Sequence, residues 1–236
     1  MFIFVSSTCG RNKPFLFVFV CFFVRQSELR NYYLKCHRAR VSSKWQEIVS
    51  GENDVTKSAE QSEVSLLGEF YELLLTVCHT EMQWCSKVFG KSSSASIVAQ
   101  LLLEVALSVE SGPGFLIQSS LAGTATEKLS SLTRLYASTQ MFVGNLKQAI
   151  ENDNNADKID PDLLVKMSDA FWHPYISILM DYGELETEAL LTALGDIPLD
   201  AHDVIDLVQL LDSSVKKLFD EALVSMNRCQ NLTGML

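Results

Sequence analysis

The chain has 236 residues, 47% hydrophobic and 20% charged, so it is long enough and apolar enough to bury a core and is not disordered throughout. Its formal net charge of −10 argues against nucleic-acid binding, which requires a basic face. The 11 glycines and 5 prolines are few for this length, which favours long helices over a many-turned β fold. The six cysteines include no C-x-x-C pair, so we do not expect a disulfide scaffold.

The first 50 residues differ from the rest in charge and hydropathy. They carry eight Lys and Arg against two Asp and Glu, whereas residues 51–236 carry 11 against 27. Residues 15–24 are apolar without interruption and follow two basic residues, as in a secretory signal, but no small-x-small cleavage pattern comes after them. Ten residues rise only ~15 Å as a helix, about half of a bilayer's hydrocarbon core, so we do not expect a membrane span.

Three interpretations of residues 1–25 stay open. The first places this hydrophobic N-terminal segment outside the fold, because its Phe/Val run lacks helical periodicity and the composition changes abruptly at Arg25. The others are an unusual signal and a hydrophobic segment packed against a partner. If the segment entered a membrane, the basic residues after it would hold the rest of the chain in the cytosol. We therefore expect the folded part to be residues 26–236.

Apolar residues at three- and four-residue spacing predict the first helices. An amphipathic helix with a basic outer face is expected over 27–49, followed by a polar, acidic linker at 50–64. The strongest apolar stripe runs through 65–89. The next predicted helix has three serines at 92–94 as N-cap candidates, and a Gly-Pro-Gly segment at 112–114 is expected to stop it.

Polar residues mark the starts of the later helices. Thr124 and Glu127 form a predicted capping box, in which each side chain bonds the backbone amide of the other residue. Asp160 followed by Pro161 predicts another helix start. Pro174 is expected to break or kink the helix that follows, because it lacks an N–H group.

The longest predicted helix has a candidate cap at Asp200 and runs at least to Cys229, after a short helix bracketed by Gly183 and Gly195. Its apolar stripe has no obvious partner within the chain. The sequence shows no alternating strand pattern with hairpin turns and no repeat of fixed period. The predicted fold is therefore all-α, with long helices that are extended or bundled antiparallel and no sheet.

No motif in the sequence indicates a catalytic or cofactor site. The phosphate-loop, dinucleotide, zinc-protease and nucleophile-elbow patterns are all missing. The set nearest to a metal site is Cys78, His79, Glu81 and Cys85. Its two cysteines lie two turns apart, ~10 Å along the helix axis, and on the apolar stripe, so we prefer core packing.

The other titratable residues are given structural interpretations. Four histidines are expected at surface or cap positions and are assigned no role: His37, His79, His173 and His202. An acidic cluster is expected to be a solvated helix start, because carboxylates favour the positive end of a helix: Asp181, Glu184, Glu186 and Glu188. We expect no cofactor, no metal and no small-molecule substrate.

Several segments, in order along the chain, resemble one family, that of the seventh subunit of the conserved oligomeric Golgi complex, a multisubunit vesicle tether. They are Asn31-Tyr-Tyr-Leu-Lys-Cys-His37, Lys44-Trp-Gln-Glu47, Leu73-Leu-Leu-Thr-Val-Cys-His-Thr-Glu-Met-Gln-Trp-Cys-Ser-Lys-Val-Phe89, Trp172-His-Pro-Tyr175, Tyr182-Gly-Glu-Leu-Glu186, Ile197-Pro-Leu-Asp-Ala-His-Asp-Val-Ile-Asp206, Val215-Lys-Lys-Leu-Phe219 and Asn227-Arg-Cys229. None is a chemical motif, and their common order from about Ser27 to Gly234 carries the match. Family chains are several times longer and residues 1–25 do not resemble them, so we expect an internal fragment or a truncated form.

The resemblance implies a non-enzymatic subunit that acts in retrograde intra-Golgi transport and so in maintaining glycosylation enzymes. It implies peripheral attachment to the cytosolic face of the Golgi membrane, and partners among the other subunits through helix packing. It assigns no catalytic residue. From the pattern of the last helix we predict a partner-binding face, because no later helix could cover its stripe: Val204, Val208, Leu211, Val215 and Leu218.

The alternative is a membrane-anchored or secreted helical protein led by residues 15–24. Glycosylation at Asn231, which begins an acceptor motif, would favour it by placing the body of the chain in the lumen. A further alternative is an enzyme that uses Cys78, Cys85 or the carboxylates at 184–188, which a stoichiometric metal would support.

Overall fold

The computed structural model describes residues 13–50, 63–110, 112–151, 159–195 and 204–233. These residues form eight helices, and no strand occurs among them. The helices are α1 (Lys13–Ser50), α2 (Glu63–Val88), α3 (Lys91–Ser108), α4 (Pro113–Ser119), α5 (Ala125–Glu151), α6 (Pro161–Met180), α7 (Tyr182–Gly195) and α8 (Val204–Thr233). The all-α class predicted from the sequence is confirmed.

α2 lies at the centre of the packing. It contacts α3, α4 and α5, and to a smaller extent α1, which lies mainly against α3. α6 packs on α3 and α4, while α7 and α8 lie against α5. This position follows from the strong apolar stripe of α2, whose buried side chains form much of the core: Leu67, Phe70, Tyr71, Leu73, Leu74, Cys78 and Cys85.

Aromatic rings join the helices in the core. Trp45 of α1 is fully buried and meets the ring of Phe70 in α2 edge to face, with ring centroids 4.9 Å apart. Tyr71 of α2 stacks on Phe142 of α5 at 4.3 Å, and Phe142 meets Phe171 of α6 edge to face at 5.0 Å. These arrangements are the ones that aromatic pairs prefer, so they help to fix how the four helices sit together.

One buried hydroxyl connects three helices. Thr139 of α5 lies with its Oγ1 2.8 Å from the hydroxyl of Tyr71 in α2 and 2.7 Å from the hydroxyl of Tyr175 in α6. Thr139 also donates to the carbonyl of Leu135 at 3.0 Å. Buried polar groups must be hydrogen-bonded, and a shift of α2 or α6 along its axis would break the bond to Thr139. The two tyrosine contacts therefore fix the register of the three helices.

The turn between α2 and α3 is tight. Gly90 lies between the two helices at φ +89°, a backbone conformation that favours glycine. Gly90 is also the N-cap of α3, and no side chain caps this helix. The prediction that a serine at 92–94 caps it is wrong, because all three lie inside α3. Ser94 is buried there and donates to the carbonyl of Lys91.

The segment after α3 is helical, although the sequence indicated only a stop at 112–114. Pro113 begins the seven-residue α4, since the first turn of a helix does not need the missing N–H. Pro174 does not break α6, which is continuous from Pro161 to Met180. The ring of Pro174 lies beside Gly114 of α4, and the packing of α6 on α3 and α4 offsets the lost hydrogen bond.

The predicted helix starts at α5 and α6 are confirmed. Glu127 accepts from the backbone amide of Thr124 at 2.9 Å, and its own amide donates to the Thr124 hydroxyl at 3.4 Å. The Thr124 hydroxyl also donates to the Glu127 carboxylate at 2.9 Å, and the two bonds that this carboxylate accepts from Thr124 hold the pKa of Glu127 below its usual value. Gly123 has φ +111°, and a Cβ there would lie 2.5 Å from the Glu127 carboxylate. At α6, Asp160 accepts from the amide of Asp162 at 3.1 Å.

α1 begins earlier than predicted. It runs from Lys13 to Ser50, so residues 15–24 are helical and continuous with the predicted helix at 27–49. Residues 1–12 lie outside the described part of the chain, as do most of the predicted linker at 50–64 and the candidate cap at Asp200. The division into 1–25 and 26–236 therefore stays a prediction.

Among the described residues, no single helix is both long and apolar enough to cross a membrane. α3 and α4 reach that length and composition only as a pair, which is bent by 42° at the break between them.

Candidate partner-binding surface

The apolar side of α8 is exposed. Eight large apolar residues recur at three- and four-residue spacing along ~30 Å of this helix, and each side chain is 43–67% exposed. We call this set the apolar face of α8: Leu207, Val208, Leu211, Val215, Leu218, Phe219, Leu223 and Met226. An amphipathic helix on a globular protein normally turns such a stripe toward the core, and α8 does not.

The apolar face contains four of the five residues predicted to bind a partner: Val208, Leu211, Val215 and Leu218. Val204 is the first residue of α8, and its side chain is not among those described. The predicted set omitted Phe219 and Met226, although the same spacing points to both. That these residues bind a partner stays a prediction.

The side of α8 that packs against the other helices is mostly polar. Among residues 207–232 only Leu232 is buried. The half-buried positions repeat at three- and four-residue spacing, about a quarter turn from the apolar face: Leu210, Ser214, Glu221, Ser225, Arg228 and Cys229. α8 therefore contacts α5 and α7 through its polar side and the end near Leu232, and its most apolar side points away.

An ion pair fixes α8 to α7. Arg228 donates twice to the Glu186 carboxylate, from Nε to Oε2 at 3.2 Å and from Nη2 to Oε1. The two side chains are only 15% and 10% exposed. The prediction that Glu186 belongs to a solvated helix start is therefore wrong, because its partner lies 42 residues away on another helix. The other members of the cluster, Asp181, Glu184 and Glu188, are exposed.

The Glu186 carboxylate is stabilised in its charged form. Burial opposes the charge, but hydrogen bonds from Arg228 and Ser225 outweigh burial and hold the pKa of Glu186 below its usual value of 4.5. A carboxylate with a lowered pKa in the folded state contributes stability above its unfolded pKa. That contribution is lost as the pH falls through the folded value.

We expect the attachment of α8 to weaken in acid for this reason. The difference in the free energy of unfolding between the wild type and Glu186→Gln should be constant above about pH 5 and should shrink below about pH 4.5, as the wild-type carboxyl gains a proton. Urea unfolding of both proteins at a series of pH values measures this difference. A difference that stays constant down to about pH 3 would contradict the assignment of the charged pair.

A second polar cluster joins α1 to α2. The buried Glu81 accepts from the Tyr33 hydroxyl at 2.8 Å, and its other oxygen lies 2.9 Å from Nδ1 of His37. Tyr33 also stacks on Trp84, with ring centroids 5.0 Å apart. His37 therefore lies half-buried between two helices, which corrects its prediction as a surface or cap residue. His79 and His173 are exposed, and His202 lies outside the described residues.

Cys78 and Cys85 belong to the core, as predicted. Both thiols are fully buried within the main hydrophobic cluster. Burial raises the pKa of the Cys78 thiol to about 11 and also raises that of Cys85, so both are protonated at neutral pH. A protonated thiol is a poor nucleophile and metal ligand. Within the described part of the chain, no three possible metal ligands lie close enough to hold an ion.

The described residues thus define an all-helical protein whose most distinctive surface is an exposed apolar helix face. The family model of Golgi complex component 7 (COG7) matches residues 4–236. The chain belongs to this family. Because the match begins at residue 4, the expectation that residues 1–25 do not resemble the family is wrong.

Curated relatives carry the same description. The chain is 30% identical over 239 residues to the conserved oligomeric Golgi complex subunit 7 of Homo sapiens, covering 99% of this chain and 29% of the human protein. It is 22% identical over 212 residues to the Drosophila melanogaster subunit 7, covering 90% of this chain and 28% of the fly protein. The chain therefore spans less than a third of the length of these relatives. No solved structure matches it.

Proposed function

We propose that the chain is a non-enzymatic subunit of a Golgi vesicle-tethering complex, acting in retrograde intra-Golgi transport and in the maintenance of glycosylation enzymes. Family membership supports the complex, since the relatives are named as its subunit 7. The observation that carries the proposed role is the exposed apolar face of α8. In this proposal the chain binds other subunits through helix packing and uses no cofactor, nucleic acid or small-molecule substrate.

The apolar face is large enough to hold a partner. Eight side chains of this size, each about half exposed, present on the order of 800 Å², the share that one partner gives to a standard protein interface. Contiguous apolar surface of this extent is uncommon on a monomer and marks interaction sites. Leaving it in water is unfavourable, so covering it supplies a driving force for association.

The shape of the apolar face favours packed helices as the occupant. Val208, Leu211, Val215 and Leu218 form its central row, and Leu207 and Phe219 widen it on either side. A seam of this width is typical of helices packed in a bundle, whereas a two-stranded coiled coil has a narrower one. We therefore propose an amphipathic helical segment of another subunit as the partner.

Peripheral attachment to the cytosolic face of the Golgi membrane is part of the proposal. Exposed basic side chains of α1 support it, because the anionic lipids of a cytosolic leaflet attract Lys and Arg: Arg25, Lys35, Arg40 and Lys44. Asn231 bears on the alternative of a secreted or membrane-anchored protein, since it is exposed near the end of α8. A glycan on Asn231 would place α8 in the lumen and overturn the proposal.

The test is recovery of partner subunits by the tagged chain from cells. We expect the wild-type chain to co-purify other subunits of the complex, identified by mass spectrometry. Leu211→Asp with Leu218→Asp should lose them, because each change puts a charge into the centre of the interface and costs at least ~2 kcal/mol there, roughly 30-fold in affinity. Both side chains are exposed in the chain alone, so its solubility and helix content should not change.

A matched control places two aspartates on the other side of α8. Gln209 and Asn227 are exposed and lie off the apolar face, so Gln209→Asp with Asn227→Asp should keep the partners. Equal recovery by the two double variants would contradict the assignment of the apolar face. A wild-type chain that recovers no subunit of the complex, or carries a glycan on Asn231, would contradict the proposed function itself.

A further inference from the structure

A small pocket lies between α1 and α2, away from α8. Its volume is about 100 Å³. One wall carries His37, Arg40 and Lys44, whose spacing of three and four residues places them on one side of α1. The opposite wall carries Thr76 and Thr80, one turn apart on α2. Val41 and Val77 complete the lining, so basic, hydroxyl and apolar side chains meet in this pocket.

Arg40 and Lys44 bring two positive charges to the wall of the pocket. Both are exposed, and within the described residues neither pairs with an acidic side chain, unlike Arg38, which pairs with Glu104. One carboxylate, Glu81, lies in the wall of the pocket. Its two oxygens lie at Tyr33 and His37, and its negative charge offsets one of the two positive charges of Arg40 and Lys44. One positive charge remains in excess at the pocket.

We infer that this pocket binds a single phosphate group. The guanidinium of Arg40 offers a planar set of N–H donors that matches two phosphate oxygens, and Lys44 adds a second positive charge. Thr76 can supply a hydroxyl donor from the other wall, whereas the Thr80 hydroxyl already donates to the Thr76 carbonyl at 2.8 Å. The pocket volume of about 100 Å³ gives room for a single phosphate group.

The phosphate group has two possible sources, the headgroup of a lipid and free phosphate in solution. The pocket lies between α1 and α2 and shares no residue with the apolar face of α8. Arg40 and Lys44 are also among the basic residues that support membrane attachment, so a lipid headgroup in the pocket would deepen that part of the proposed function. Subunit binding through the apolar face of α8 is separate, and it and the pocket can each fail without the other.

The experiment measures binding of two probes to the purified chain. The first is inorganic phosphate, followed by titration calorimetry. The second is a set of phosphatidylcholine vesicles that contain either a phosphatidylinositol monophosphate or phosphatidylserine at equal total charge, followed by sedimentation. Arg40→Gln with Lys44→Gln removes the two cations of the pocket. The matched control, Arg134→Gln with Lys166→Gln, removes one exposed Arg and one exposed Lys from α5 and α6.

We expect saturable binding of one phosphate group per chain, at least ten-fold weaker in Arg40→Gln with Lys44→Gln and unchanged in the control. Binding of inorganic phosphate identifies a soluble ligand, and binding only of the monophosphate vesicles identifies a lipid headgroup. Equal binding to phosphatidylserine vesicles, or equal losses in the two double variants, would show attraction by net charge alone and overturn the inference. Binding of neither probe overturns it as well. Circular dichroism checks that both variants keep their helices.

Discussion

Trp45→Ala is expected to lower the free energy of unfolding by about 3–5 kcal/mol. Trp45 is 0% exposed and packs edge to face on Phe70, so the substitution removes a large ring and leaves a cavity between α1 and α2. Such a loss is a large part of the ~5–15 kcal/mol that holds a typical domain folded. Urea denaturation followed by circular dichroism measures it.

Tyr32→Ala is the control for this substitution. Tyr32 also belongs to α1, but it is 68% exposed, so its removal should change the free energy of unfolding by no more than about 0.5 kcal/mol. If Trp45→Ala lowers the free energy of unfolding by less than about 1 kcal/mol, the packing of α1 against α2 is contradicted, because the loss of a fully buried tryptophan side chain costs more than this.

The second large effect is expected at the ion pair between α7 and α8. Arg228→Met leaves the Glu186 carboxylate buried without its partner, which should cost about 2–4 kcal/mol and speed hydrogen exchange along α8. Glu186→Met combined with Arg228→Met removes both charges and should restore most of the loss. Urea unfolding and amide hydrogen exchange of the three proteins measure these effects.

The double variant decides what the ion pair contributes. If it is as unstable as Arg228→Met alone, the cost comes from lost packing of the arginine side chain, and the unpaired charge of Glu186 is not the cause. If neither variant changes the rate of amide hydrogen exchange in α8, the ion pair of Arg228 and Glu186 does not anchor this helix.

Local sequence signals predicted most of the helices. The three- and four-residue spacing located α2, α5 and α8, and the polar side chains of Thr124 and Asp160 marked two helix starts correctly. Such features depend on residues within one turn of each other, so they can be read without knowing the fold. The exposure of the apolar face on α8 was expected for a weaker reason, because no other predicted helix offered an obvious partner for its stripe.

The missed features depend on contacts between distant parts of the chain. Glu186 looked like a solvated carboxylate because only the fold brings Arg228 to it. Pro174 was expected to break or kink its helix; the break does not occur, since α6 is continuous, and the kink stays a prediction. His37 has no local signal at all, since its partner Glu81 lies on the next helix. For these residues tertiary packing overrides local preference, which a single sequence does not reveal.

The buried contacts of α8 lie near one end of the helix, so a force at the other end acts over a long distance. Its buried contacts lie near Arg228 and Leu232, and no residue from Leu207 to Ser225 is buried. The distance along the axis from Arg228 to Leu207 is ~32 Å, so a tilt of about 10° at the anchored end moves the other end by roughly 6 Å. The half-buried Leu210 and Ser214 resist such a tilt, so a force that a partner applies near Leu207 acts on these contacts as well as on the ion pair of Arg228 and Glu186.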